Sequence, residues 1–177
     1  MKIKICLAGD VQVGKTSLIG RYVHDVFGDK YLSTIGTKVT RKQIRLEYPK
    51  RETEVKMEAM IWDIMGQKNF RKLFSEKYFN GANGIIGVCN LTDEESLKSL
   101  YEWIYTARRF AGDVPVLILA NKNDLIEEIK LSPDVLQKTA SDLGSSYLFT
   151  SAKTGENVSQ AFLTMGKEIV KIQLGLD

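Results

Sequence analysis

Nine residues near the amino terminus, Gly9-Asp10-Val11-Gln12-Val13-Gly14-Lys15-Thr16-Ser17, restrict this chain more than any other stretch. They read Gly, four residues, Gly-Lys-Thr. The apolar run Ile3-Lys4-Ile5-Cys6-Leu7-Ala8 precedes them and the amphipathic stretch from Ser17 to Phe27 follows. The glycines therefore fall where a strand gives way to a helix, the context in which this pattern captures anions. Successive backbone N–H groups in such a loop, and at the helix start, point inward at phosphate oxygens. Gly9 and Gly14 let the backbone approach without a Cβ clash. Lys15 is expected to reach the β- and γ-phosphates, and the Thr16 hydroxyl to ligate the Mg²⁺ that accompanies a nucleoside triphosphate. Gln12, Val13, Gly14, Lys15, Thr16 and Ser17 are the candidate phosphate contacts.

With 177 residues the chain is long enough for one domain, spanning 1–177, with a substantial core. A formal charge of +3 is too small to argue for a nucleic acid or an anionic membrane surface, so neither is expected as a partner. The two cysteines, Cys6 and Cys89, lie inside apolar runs and read as buried thiols of a reducing compartment, which points to the cytoplasm. No run approaches the ~20 apolar residues of a membrane helix. Met1-Lys2-Ile3-Lys4 leads straight into a strand, so no signal peptide is expected. Lysine at position 2 and the absence of cysteine near Gly175-Leu176-Asp177 argue against myristoylation and prenylation of this chain. Attachment to a membrane or other structure would then come through a partner.

Apolar strand-like runs alternate with helical patterns along the whole length, which predicts an α/β fold with a mostly parallel sheet. The expected elements are a strand at 2–8, a helix at 15–27, two β-like runs at 37–46 and 54–63, and a helical segment at 67–79. Then come a strand at 84–89, a helix at 93–110, a strand at 114–120, a helix at 133–143, a strand at 146–150 and a helix at 158–173. The short link containing Pro49 makes the pair 37–46 and 54–63 an antiparallel hairpin, since parallel strands need a long crossover. Tyr48-Pro49-Lys50-Arg51-Glu52 reads as its solvated tip. Ser132-Pro133 opens one helix as cap and first residue, and Gly144 ends it.

The loops at the carboxyl ends of the strands, where open α/β sheets bind ligands, carry the rest of the chemistry. Asp63-Ile64-Met65-Gly66-Gln67 follows one strand. Asp63 can hold the water shell of Mg²⁺, Gly66 can offer its N–H to a γ-phosphate, and Gln67 can orient an attacking water. Read alone, Asp-x-x-Gly is also an ordinary turn. Asn121-Lys122-Asn123-Asp124 follows another strand. A carboxylate laid against a purine edge accepts from both N1–H and the 2-amino group of guanine, whereas adenine would leave it unpaired. Asp124 is the candidate for that role. The Lys122 stem can cover the base plane, and Asn121 can brace neighbouring loops. By themselves these residues also fit a polar helix start. In Ser151-Ala152-Lys153 a backbone N–H can donate to the guanine carbonyl. Thr34, in Thr34-Ile35-Gly36, can bring a hydroxyl to Mg²⁺ and an N–H to the γ-phosphate, which would make its loop a switch; it also fits the start of a strand. Phe27 can pack against the base edge or serve as a helix-end core residue.

The order of these pieces resembles the Ras-like small GTPase superfamily, through GDVQVGKTS at 9–17, STIG at 33–36, WDIMGQ at 62–67, NKND at 121–124 and TSAK at 150–153. Within it the chain looks most similar to Rab-like members and to the Tem-type and Spg-type branch. The resemblance covers essentially the whole chain. It implies a three-layer P-loop NTPase fold: a six-stranded sheet with one antiparallel strand, and five helices. It further implies GTP and GDP as ligands with Mg²⁺, a switch in signalling or trafficking, and exchange factors, GTPase-activating proteins and effectors as partners. Gln67, Lys15 and Thr34 would be the catalytic residues, and Thr16, Thr34 and Asp63 the metal site.

Two departures stand out. Ile64-Met65 replaces the usual Thr-Ala of the second loop. Val11 replaces a glycine or small residue, and its branched side chain would crowd Gln67 and an incoming arginine, which predicts slow hydrolysis. A GTP-binding scaffold with little hydrolysis is therefore one alternative reading. An ATP-dependent small kinase is another, against which Asn121–Asp124 and the lack of room for a second substrate domain both argue. His24 reads as a solvated helix residue. Trp62 and Phe70, beside the second loop, read as anchors for a partner, and Trp62 equally as core or partly buried.

Overall fold

A computed structural model describes residues 1–28, 36–48 and 53–175, with the side chains of residues 68 and 70–74 excepted. The elements in chain order are β1 (Lys2–Ala8), α1 (Lys15–His24), β2 (Thr37–Tyr48), β3 (Thr53–Ile64), α2 (Lys68–Phe79), β4 (Gly84–Asn90) and α3 (Glu94–Ala111). They continue with β5 (Val116–Asn121), a 3₁₀ turn at Ile126–Glu128, α4 (Pro133–Asp142), β6 (Ser146–Thr150) and α5 (Val158–Leu174). The six strands form one sheet in the order β2-β3-β1-β4-β5-β6. β2 pairs antiparallel with β3 and every other pairing is parallel.

Alternation along the strands builds the two cores. In β1, Ile3, Ile5 and Leu7 face one side with Leu18 and Ile19 of α1 and Phe162, Met165 and Ile169 of α5. Cys6 and Ala8 face the other side with Phe79 of α2, Leu97, Leu100, Trp103 and Ile104 of α3, and Leu136 and Ala140 of α4. The sheet is thus the middle of three layers, and its central strands are apolar on both faces because both are covered. β4 is packed tightly on both faces. A Cβ on Gly84 would fall inside 3.0 Å of the Met165 sulfur, and one on Gly87 would press on Ile104 from the opposite side. Both cysteines are buried free thiols, and burial pushes each up to about 12, which keeps them protonated and inert.

Several boundaries differ from the sequence reading. α1 stops at His24 rather than Phe27, because Asp25 turns left-handed (φ 53°) and the Val26 N–H returns to the Gly20 carbonyl. The Arg21–Asp25 ion pair at 3.0 Å closes that turn. The hairpin strands run further than expected, each 12 residues, since the ladder continues from Thr37↔Ile64 to Tyr48↔Thr53. The tip at 49–52 lies outside the described residues. β5 starts at Val116 and extends to Asn121, so that asparagine belongs to the strand and not to the loop. α4 begins as the sequence signals, with Ser132 accepting from the Val135 N–H; α3 begins at Glu94, and Asp93 caps it by accepting from the Glu95 N–H. His24 is exposed, as expected.

Candidate functional site

The loops after β1, β3, β5 and β6 meet at the carboxyl edge of the sheet around a cavity of about 690 Å³, a size that suits a small ligand. Its floor is the loop 9–16. Gly14 adopts φ 104°, and a Cβ there would fall inside 3.0 Å of the Asn121 side-chain nitrogen. Only glycine fits both the conformation and the contact. The Asn121 amide explains the crowding. Its nitrogen donates to the Val13 carbonyl at 2.9 Å, while its oxygen accepts from the Thr150 hydroxyl and the Ala152 N–H, both at 3.3 Å. One buried side chain so ties the phosphate loop to the loop after β6.

Lys15 is buried at the start of α1, and its ammonium donates to the Gly9 and Asp10 carbonyls at 2.7 Å each. Burial pulls it down to about 8, against the opposing pull of the Asp63 and Asp10 carboxylates. The Thr16 hydroxyl donates to Asp63, which is buried at the end of β3. Thr16 lines the cavity and the Asp63 carboxylate is buried directly behind it. These are hard oxygen donors that fit Mg²⁺, an ion that keeps several waters and shares its shell with phosphates instead of filling a protein cage.

Gly66 packs directly on the phosphate loop. A Cβ there would fall inside 3.0 Å of the Asp10 carbonyl group and the Val11 nitrogen, all backbone atoms. The Met65 N–H donates to the Gly36 carbonyl at 3.2 Å, fastening this loop to the start of β2. Gln67 is exposed and lines the same cavity as Val11, which is 48% exposed. Met65 lines the wall half-buried, and Ile64 is buried but still reaches it.

At the other end lie Lys122, Asp124, Ala152, Lys153 and Phe27. Lys122 is held left-handed at φ 68°, a conformation costly for a non-glycine residue and commonest where function demands it. The Ser151 hydroxyl donates to one oxygen of Asp124 at 2.6 Å, and no described residue donates to the other. The Ser151 N–H itself goes to the Glu156 carbonyl. Asn123 donates to the Glu156 carboxylate at 3.0 and 3.2 Å. Arg21 of α1 reaches across to the Ala152 carbonyl (3.0 Å) and the Lys153 carbonyl (2.7 Å).

Of the residues singled out in the sequence, Gln12, Gly14, Lys15, Thr16, Ser17, Phe27, Gly66, Gln67, Asn121, Lys122, Asp124, Ala152 and Lys153 line one cavity. Val13 and Ser151 are buried behind its wall. Thr34 lies outside the described residues, as does the Phe70 side chain. Trp62 is half-buried, with the Lys4 ammonium 4.0 Å from its ring centroid and Tyr78 edge-on at 6.3 Å. Gly20, Val26, Gly28 and Leu125 also line the cavity and belong to no motif that would have flagged them.

The sequence matches the Ras family over residues 4–171. The chain belongs to the Ras family. It is 38% identical over 169 residues to "Ras-related protein RABD1" of Arabidopsis thaliana, covering 95% of this chain and 79% of that one. It is also 38% identical over 173 residues to "GTP-binding protein YPTM1" of Zea mays, covering 97% and 80%. This Ras-family chain is a Rab-like small GTPase: it binds and hydrolyses GTP and acts as a nucleotide-dependent switch. That kinship disfavours the scaffold reading and removes the kinase. None of its described helices is long and apolar enough to cross a membrane.

Proposed function

We propose that the cavity holds guanine nucleotide with its phosphates on loop 9–16 and its base between Phe27, Lys122, Asp124 and Ala152–Lys153, and that Val11 keeps the intrinsic hydrolysis slow. The observation that supports this most is that one cavity collects the loops after four separate strands. The free oxygen of Asp124 would accept from the guanine N1–H and 2-amino group, and a loop amide at 152–153 would donate to the guanine carbonyl. Lys15 would exchange its two carbonyl partners for phosphate oxygens. Thr16, Asp63 and Thr34 would hold Mg²⁺, which, when bound, neutralises charge developing on the phosphate oxygens. Gln67, exposed at the mouth, would orient the attacking water, and the Gly66 N–H would meet the γ-phosphate. Exchange factors, activating proteins and effectors are the partners this cycle calls for, in signalling or trafficking, with the chain cytoplasmic and recruited to its targets through a partner.

The test is single-turnover GTP hydrolysis by purified protein with Mg²⁺, the bound nucleotide being identified by chromatography. Guanine nucleotide should be found, and slow hydrolysis should be lost in Gln67→Leu. Val11→Gly should hydrolyse at least several-fold faster; equal rates would show that Val11 does not crowd the reaction.

A further inference from the structure

We infer that Trp103, on α3 and outside the cavity, is a positioning residue for nucleotide binding: its indole N–H tethers the phosphate loop through Asp10. The inference rests on the functional reading above and concerns how its phosphate site is held. Trp103 is fully buried in the α3-side core. Its indole Nε1 donates to the Asp10 Oδ1 at 2.8 Å across 93 residues of sequence. A tryptophan in an apolar core needs a partner for its N–H, and here that partner is a carboxylate of the loop that must gather anions.

Asp10 is where the site's parts meet. Its carbonyl accepts from Lys15. The same carbonyl group is the surface on which Gly66 packs. Its carboxylate carries the one charge in 9–14, and a carboxylate turned toward phosphates would repel them. The indole draws that carboxylate toward α3 and fixes the residue whose backbone serves Lys15 and Gly66. Loss of the tether leaves the loop looser and the carboxylate free to turn, so bound nucleotide leaves faster. A hydrogen bond to a charged group is worth enough to change a dissociation rate about tenfold.

Release of a fluorescent GDP analogue, chased with excess GDP, tests this in the full chain as a double-mutant cycle. Trp103→Phe keeps most of the ring volume and loses the N–H; it should release about tenfold faster, as should Asp10→Ala. Asp10→Asn keeps an oxygen acceptor and should stay within about threefold of the parent. In the Asp10→Ala background, Trp103→Phe should add nothing. The same factor in both backgrounds would mean that Trp103 only packs, and slower release from Asp10→Ala would mean that its charge, not the tether, matters; either overturns the inference. If Trp103→Phe does not fold, the indole ¹H–¹⁵N signals decide. There are two, from Trp62 and Trp103, and the Trp103 signal should move in Asp10→Ala far more than in Asp10→Asn; an unmoved signal refutes the tether. A parent that holds no guanine nucleotide sinks the functional reading instead, and the indole signals still report on the tether.

Discussion

Removing the Asn121 amide should loosen both halves of the site at once. In Asn121→Ala the Val13 carbonyl, the Thr150 hydroxyl and the Ala152 N–H all lose their partner. The 2.9 Å bond is worth about 1 kcal/mol net and the two 3.3 Å bonds about half that each, and leaving buried groups unpaired brings the total to about 3 kcal/mol. Part of this should fall on folding and part on nucleotide binding, because Val13 lies in the loop proposed to hold the phosphates and Ala152 in the loop proposed to meet the base. At about 1.4 kcal/mol per factor of ten, GDP release should accelerate between about tenfold and about a hundredfold. A chase of fluorescent GDP gives the rate, and urea unfolding of the nucleotide-free protein gives the folding share. Gly14→Ala is the companion variant, since its Cβ would push into the same amide. Its effect should overlap with that of Asn121→Ala in the double variant instead of adding to it. If Asn121→Ala shifts the urea midpoint but leaves release within about threefold of the parent, the asparagine merely stabilises the fold and the bracing argument is wrong.

Gly66→Ala should abolish most GTP hydrolysis while GDP affinity changes little, because the new Cβ meets Asp10 and Val11 backbone that cannot swing aside; single-turnover rates set beside GDP binding check it. Lys15, drawn down to about 8 by burial, should make GDP affinity level near pH 7 and falling, by at most about tenfold per unit, above pH 8 as its ammonium is lost. The same shift has a definite sign for stability. A folded value below the ordinary 10.5 means the nucleotide-free protein gains stability as pH rises between the two, and Lys15→Met should remove that gain in a pH series of unfolding curves. Arg21→Ala frees the carbonyls of Ala152 and Lys153 and loosens the loop proposed to meet the base carbonyl, which guanine and hypoxanthine share; both nucleotides should bind about threefold more weakly in competition, with their ratio and the hydrolysis of bound GTP unchanged.

The fold was legible because its cause is local. Ile85, Ile86, Val88 and Cys89 have no polar neighbour to face water, so that run had to be a strand covered on both sides, and the spacing of Leu97, Leu100, Ile104 and Ala107 left α3 one apolar face. The site was legible as a meeting of motifs: Lys15, expected at a phosphate, and Asp124, expected at a purine edge, line one cavity. What escaped are partners that meet from distant parts of the chain. Arg21 and Lys153 are 132 residues apart, and nothing in the spacing within α1 singles out one arginine. Trp103 sits in the apolar stripe of α3, where any large side chain reads as core; the only hint was a carboxylate, Asp10, inside a loop meant for anions. The strand ends slipped because alternation marks where a strand is favoured, while the ladder decides how far it continues, as between Tyr48 and Thr53.

Polar side chains cross between elements around the site: Trp103 bonds Asp10, Asn121 bonds Val13, and Arg21 bonds the loop at 152–153. Each is a polar contact crossing from one element to another, and each is worth of order 1 kcal/mol net. The layers beneath are joined differently, by the fully buried side chains of two cores, where a single large-to-small change costs roughly 2–5 kcal/mol. A switch needs this division. Its frame must survive every cycle, while its grip on nucleotide must give way when a partner pulls at one loop. Because these braces are a short series of hydrogen bonds, a regulator that displaced the phosphate loop or the loop after β6 would break one or two of them and speed release by about five- to thirtyfold, with the two cores left unstrained.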